Sequence, residues 1–599
     1  MRLRAVSVLV VLAALAAIVA GRLLRRLPPP PPAATAPAEP PAEALVSPRP
    51  PGRPGGQLVV ALRAEPRTLN PLTAADNPSQ TVIWRLMADL VHVDRRSQLP
   101  VPALARRVTT SDDGRRFRLE LRRGVRFSDG HPLDAGDVVF SLRAYLDEEI
   151  AAPQRDLLIV GGRPPAVRRL DDYTVEVELA APYAVGERLF DGFAVLPEHR
   201  LAAAYAEGRL ASAWDLATAP EEVVGLGPFR LVRYLPGQRL ELERNPHYWK
   251  VDAAGQRLPY LERLIFLFVP SEDAQVLRFQ AGESQLIDGL SGANFAALEA
   301  GAAARGLRLL DLGPGLSYSF VVFNLNDVDP AALPAVARKQ RWFRQLAFRR
   351  AVSLAIDRRA LAEVVYHGRA TPIATHVSPG NKLWHNAALK PPRRSLERAR
   401  ALLAEAGFAA GEDGRLRDAA GEPVAFSILT SAGNRERAQM AAMIQADLAP
   451  LGIAVRVVSL EFGTFLERLF DSFDYEAAIL ALGGGDVDPN SDVAVLSSSG
   501  AHHLWHLGQP APATPWEAEI DRLMSAQMTA RDPAVRRELY HRVQELVAEN
   551  VPMIFLLSPN VLVGAHREVG NFAPAILHHP TLWNADELYR RAPAPAGGR

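Results

Sequence analysis

From Val424 to Pro489 apolar runs alternate with amphipathic segments, and the alternation predicts βαβ units around a parallel sheet. Val424–Leu429 reads as a buried strand. Asn434 is an N-cap for a helix that continues to Leu448 and stops at Pro450 and Gly452. A second apolar run (Ile453–Leu460), a short helix (Gly463–Phe470) and a third run (Tyr475–Leu482) follow. Parallel sheets bind ligands beyond the carboxyl ends of their strands. Two loops leave those ends, Thr430–Asn434 and Gly483–Pro489, and the second carries Asp486 and Asp488. A carboxylate in such a loop suits a cationic ligand; a plain Gly–Asp turn is the competing reading.

The same patterning extends to both sides. Gln57–Arg63 is a strand and Thr81–Leu90 a helix. Phe117–Leu121 alternates strictly, as a half-buried strand does. Ser128–Pro132 is a turn cluster, and Asp134 caps a helix with Asp137 in its first turn. Strands follow at Tyr173–Leu179, Phe229–Tyr234 and Leu264–Val269, and helices at Glu272–Phe279 and Ala293–Ala304. Thr514–Glu517 is a capping box with proline at the first helical position, Asp532-Pro533 opens a helix to Asn550, and Pro552–Leu557 is a last apolar strand.

At 599 residues the chain exceeds what one core can organise, so at least two lobes are expected. Its 48% hydrophobic and 23% charged residues are those of a soluble globular protein. A net charge of +1 gives no footprint for nucleic acid. Arginine nearly displaces lysine, which stands only at Lys250, Lys339, Lys382 and Lys390. The absence of cysteine excludes disulfides, thiolate metal sites, cysteine nucleophiles and a lipid-modified N-terminal cysteine.

Arg2 and Arg4 precede an apolar core, Ala5–Ala20, and Arg22, Arg25 and Arg26 follow it. Sixteen helical residues span about 24 Å, short of the roughly 30 Å hydrocarbon layer. Residues 1–27 therefore read as an export signal, either cleaved near Val19-Ala20-Gly21 or retained as an anchor. Pro28–Gly56, rich in proline and alanine, is expected to be an extended, unfolded tether.

Several motifs then recur in a fixed order. Arg123–Leu142 reads RGVRFSDGHPLDAGDVVFSL. Thr68–Pro71 precedes it; Gly225–Arg230, Glu243–Trp249, Phe323-Asn324, Arg350–Arg358, Gly485–Pro489 and Pro552–Leu556 follow. Together they resemble family 5 extracellular solute-binding proteins, the peptide- and nickel-binding proteins of ABC importers, from Gly56 to about Arg590. The resemblance implies a two-lobed α/β periplasmic-binding-protein fold with an extra subdomain in the first lobe. On that basis residues 57–315 form lobe I with an insertion over about 76–224. Residues 316–558 form lobe II, and residues 559–599 return to lobe I as a C-terminal tail. The crossings fall near Pro314–Ser319 and Ser558–Val563. In peptide-binding members an aspartate in the cleft loop pairs with the ligand's terminal ammonium. The resemblance puts Asp486 in that role; the loop is one residue shorter than the commonest version, which leaves Asp488 as the alternative.

The remaining candidates are Gly484 and Gly485, where backbone can approach a ligand, the aromatics Tyr318, Phe320 and Trp384, and Ser431 and Asn70. Trp505, in a loop, is a further aromatic. His502, His503 and His506, with His578 and His579, match no standard metal spacing, so no metal and no cofactor are expected. No serine or histidine stands in a nucleophile-elbow or triad context. The expected chemistry is binding without turnover. A monomer captures a small solute or peptide between two lobes, closes by hinge motion and presents it to membrane permease subunits. A membrane-tethered sensor or scaffold on the same fold is the second reading and an exported hydrolase the third.

Overall fold

A computed structural model describes residues 39–483 and 486–591. The apolar export segment and the loop glycines Gly484 and Gly485 lie outside the described residues. Among the described residues no helix is long and apolar enough to cross a membrane.

The βαβ pattern of the second half folds as its periodicity predicts. Ala425–Ser431 pairs in parallel with Ala454–Leu460 on one side and with Ala477–Leu482 on the other. Tyr318–Phe323 and Met553–Phe555 extend this sheet antiparallel, giving five strands. The helix Arg435–Leu448 starts at Asn434, whose side chain accepts the Arg437 amide, and buries Met440, Ala441, Ile444 and Leu448 on one stripe. With helices over the sheet, the six residues of Tyr318–Phe323 are all buried, as expected for a strand covered on both faces.

The first half is built on an eight-stranded sheet that contains Gln57–Leu62, Arg263–Phe268, Arg239–Arg244 and Phe229–Leu235. Its strand Leu307–Pro314 continues directly into Tyr318–Phe323 of the five-stranded sheet, and Leu557–His566 returns to it two residues after Met553–Phe555. A separate four-stranded sheet, Ala105–Thr110, Arg116–Leu121, Thr174–Glu178 and Ala166–Asp171, is inserted between strands of the first. Beside it the helix Ala135–Leu146 has the expected cap: Asp134 accepts the Gly136 amide at 2.6 Å, and Asp137 reaches back to the Asp134 amide at 3.0 Å. Two large hydrophobic cores result, one on each side of the crossings.

Three local expectations change. The helix read at Thr81–Leu90 spans Asn77–Leu86, capped by Asp76. It ends early because Gly227 donates its amide to the Leu86 carbonyl at 2.8 Å, a bond that would otherwise continue the helix. A side chain at Gly225 or Gly227 would collide with this turn, so the glycines permit the contact. The helix read at Ala293–Ala304 is Gly292–Glu299, capped by Ser291. The expected tether is docked over its second half. Leu45–Val46 pairs with Lys250–Val251, and Arg49 bonds Glu587 at 2.7 Å, contacts with distant residues that no local pattern encodes.

Candidate functional site

Beside the Asp486 loop lies a cavity of about 690 Å³. Its walls come from the helix at 77–86 and the strand after it (Trp84, Arg85, Asp89, His92, Arg95), the docked N-terminal segment, and the C-terminal segment (His579, Trp583, Asp586, Glu587). Arg188 and Asp191 close it from the inserted subdomain, and among the described residues of the lobe built on the five-stranded sheet Asp486 alone reaches it. Its volume is within the roughly 300–1,000 Å³ of small-molecule sites.

The Gly483–Pro489 loop divides its two aspartates between different tasks. Asp486 takes both Nε (3.1 Å to Oδ2) and Nη2 of Arg188. Arg188 is 7% exposed and Asp486 41%. Arg188 also donates to the Gln98 carbonyl at 3.2 Å. Gln98, fully buried, receives the Lys382 amide (3.0 Å) and donates to the Gly380 carbonyl (3.0 Å). A row of direct hydrogen bonds thus ties the inserted subdomain to the second half, and Ala184 to Met528 at 2.7 Å belongs to it. Between the two aspartates, Val487 packs with Val93 and Leu577.

Asp488 turns away from the cavity. Its two oxygens take both terminal nitrogens of Arg536 at 2.7 and 2.6 Å, and it caps the turn at Asn490. Trp384 covers that guanidinium at 4.8 Å. Asp492, one turn on, receives the Tyr540 hydroxyl; burial pushes its carboxyl up to about 7. Tyr318 and Phe320 pack against Phe555 inside the second core, and Trp505 lies in the same core. Ser431 accepts from Arg437 at 3.1 Å. Asn70 is buried and holds the Leu210 and Ala213 carbonyls at 2.8 and 3.1 Å. Of the described candidates read from the sequence, only Asp486 lines the cavity.

The histidines serve separate partners. His503 faces the Val495 carbonyl and Glu517, His506 faces Asp327, and His579 faces Thr81. Asp89, His92 and Asp191 offer atoms within 4.8 Å of one another, yet Arg95 is their electrostatic neighbour and opposes a cation there.

Arg85, Arg95 and Arg188 were not anticipated. Arg85 alone carries a signal, as a lone cation inside the apolar stretch Val82-Ile83-Trp84-Arg85-Leu86-Met87, whereas Arg95 stands between Asp94 and Arg96 and Arg188 follows Glu187, like ordinary surface charges.

The sequence pattern of the bacterial extracellular solute-binding proteins, family 5, matches residues 100–502. The chain belongs to that family. A curated relative, the oligopeptide-binding protein AppA of Bacillus subtilis, is 25% identical over 513 residues, covering 84% of this chain and 87% of that protein. Solved structures of family 5 members superpose on nearly the whole chain. AppA in complex with a nonapeptide gives a TM-score of 0.67 at 22% identity, covering 90% of this chain and 100% of AppA. NikA of Brucella suis with Fe(III)-EDTA gives 0.72 at 21%, covering 90% and 100%. MelB of Agrobacterium fabrum with stachyose gives 0.69 at 22%, covering 90% and 85%. As in these members, the fold is the two-lobed periplasmic-binding-protein fold, with the five-stranded sheet in the second lobe.

The cation on Asp486, where the resemblance placed a ligand's ammonium, is the protein's own Arg188. An exposed pair contributes under about 1 kcal/mol and a buried one about 2–5 when truncated. For this half-buried pair, Asp486→Asn and Arg188→Gln are each expected to weaken solute binding roughly tenfold. A double-mutant cycle by calorimetry checks this: the two losses are expected to be less than additive. Full additivity would mean the two groups act separately.

Proposed function

We propose that the protein is the extracytoplasmic binding component of an ABC importer, and that it captures a peptide-sized solute between its lobes and delivers it to membrane permease subunits. The observation that carries this reading is the cavity of about 690 Å³, walled by lobe I and the inserted subdomain and touched by Asp486 of lobe II in a family 5 member. A ligand that contacts both sides shifts the open–closed equilibrium by its differential affinity, which is what a permease needs in order to recognise the loaded form. AppA, similar over most of the chain, supports a peptide; the stachyose of MelB shows that one scaffold accommodates other solutes.

Native mass spectrometry of protein purified without refolding is expected to reveal a bound small molecule. Removing that solute should enlarge the radius of gyration in small-angle scattering. A chain that never binds a solute from a peptide, organic acid and sugar panel would defeat the reading. Export is tested separately. Deleting residues 1–27 should leave a folded protein confined to the cytoplasm, and normal export of the truncated chain would remove the targeting assignment.

A further inference from the structure

Residues 40–50 have the composition of a tether, with Pro40, Pro41, Pro48 and Pro50, yet they are pinned along their length. Proline restricts φ in the unfolded chain, so an extended segment that contains it loses less conformational entropy on docking. The first anchor is Glu43, on the inserted four-stranded sheet. Its carboxylate accepts the Arg123 amide at 2.8 Å and stands 3.7 Å from the Arg106 guanidinium, and its carbonyl accepts from Arg122 at 3.2 Å. The second anchor is the parallel pairing of Leu45–Val46 with Lys250–Val251, continued by the Ser47 amide to the Val251 carbonyl at 2.8 Å. The third is Glu587 of the C-terminal segment, whose two oxygens accept the Ser47 hydroxyl and the Nε of Arg49, the latter at 2.7 Å. The Arg49 guanidinium lies 5.4 Å from the Trp583 ring centroid, and the Pro50 carbonyl accepts from Asn571 at 2.9 Å. None of these partners stands on the five-stranded sheet or its helices. A hinge motion between the two large sheets therefore leaves the segment in place.

The same segment is part of the cavity wall. Leu45–Arg49, five consecutive residues, line the cavity that Asp486 reaches. The polar side chains among them are spent inside the protein, Ser47 and Arg49 both on Glu587. Leu45 packs against the core of the first half. Its neighbour Val46, on the other face of the strand, is 54% exposed. Val46 is thus the side chain of this wall that no internal contact claims. Main chain held at three places yields little, so a solute larger than the space in front of it meets a steric cost.

We propose that residues 40–50 form a fixed wall of the solute cavity and that Val46 sets the length of solute it admits. The proposal rests on the solute-binding reading above and deepens it into a size limit. The segment precedes the ordered motifs, which begin at Thr68, and the matched region 100–502, so neither encodes this limit.

The test uses the full folded chain freed of copurified solute and titrated by calorimetry with two ladders of probes. One is dialanine, trialanine, pentaalanine and octaalanine; the other is maltose, maltotriose and maltoheptaose. The unaltered chain is expected to bind the short members of one ladder and to lose affinity beyond a definite length. Val46→Trp adds bulk at an exposed position and keeps every anchor. It should weaken the longest probe that binds at least tenfold and change the shortest by less than about twofold. Deleting residues 40–50 should move the limit to longer probes. Leu277→Trp, at a position 65% exposed and outside the cavity lining, should change nothing. Slow hydrogen exchange over residues 44–49, retained in Val46→Trp, separates a size effect from undocking of the segment. Melting curves confirm folding, and Val46→Trp carries the test if the deletion does not fold. Equal losses for short and long probes in Val46→Trp, no loss for either, or an unmoved limit in a folded deletion variant would overturn the assignment. Binding of no ladder member by a chain that copurifies with a small molecule would overturn it and leave the solute-binding reading intact. No binding and no copurified molecule would remove both.

Discussion

Arg536→Met is expected to destabilise the protein by about 3–5 kcal/mol, the cost of leaving one member of a buried ion pair behind. Arg536 and Asp488 are 5% and 7% exposed and joined by two short bonds. Arg536 also binds the Gln527 side chain at 2.9 Å, while Trp384 seals its face. Deleting the guanidinium strands the Asp488 carboxylate in an enclosure that water does not reach. Adding Asp488→Asn should return much of the loss, because the amide is neutral and still caps the turn at Asn490. Chemical denaturation of the two variants measures both numbers. A loss under about 1 kcal/mol for Arg536→Met would show a pair that behaves as an exposed one.

Glu517→Gln should be the second large effect. The carboxylate of Glu517 collects His503 Nε2 (3.3 Å), Trp505 Nε1 (3.0 Å), Gln509 Nε2 (3.1 Å) and the Thr514 hydroxyl (2.7 Å). Burial alone would raise its pKa; the hydrogen bonds, that from His503 foremost, outweigh burial and hold it near 2 against an ordinary 4.5. A shift of that size corresponds to about 3 kcal/mol of stability. Because the folded value is the lower one, this contribution is present above pH about 4.5 and disappears as pH falls towards about 2. Glutamine can keep an oxygen toward the three N–H donors and its NH₂ toward the Thr514 hydroxyl, but it carries no charge for them to stabilise, so the variant should lose up to about 3 kcal/mol at pH 7 and its stability should fall less steeply with acid. Denaturation curves at pH 7, 4 and 3 check both statements. An unchanged acid slope would mean that the carboxylate is not the acceptor on which this cluster depends.

The same residue shows where local reading reaches its limit. Thr514–Glu517 was legible as a helix start, and Thr514 does accept the Glu517 amide at 3.3 Å. The glutamate side chain, however, accepts from the threonine hydroxyl and three more distant groups, because the tertiary fold brings His503, Trp505 and Gln509 over the helix end.

The sequence by itself determined the elements whose forces act over a few residues. The Val424–Pro489 pattern specifies three strands and two helices, since short continuous apolar runs suit strands covered on both faces and apolar positions at a period of 3.6 bury one stripe of a helix. Asp134, Asn434, Thr514 and Asp532 cap the helices that follow them, because the acceptor and the free amide are neighbours in the chain. The ordered motifs, read as a set, identify the family to which the chain belongs. Only the tertiary structure decided how the charges are spent. Asp486 and Asp488 are two residues apart in one loop, yet one meets Arg188, 298 positions earlier, and the other Arg536, 48 positions later. Arg49 and Glu587, 538 positions apart, dock a segment that composition alone marks as a tether. Partners so distant leave no periodic trace, and the energy of a buried charge depends on what surrounds it in space.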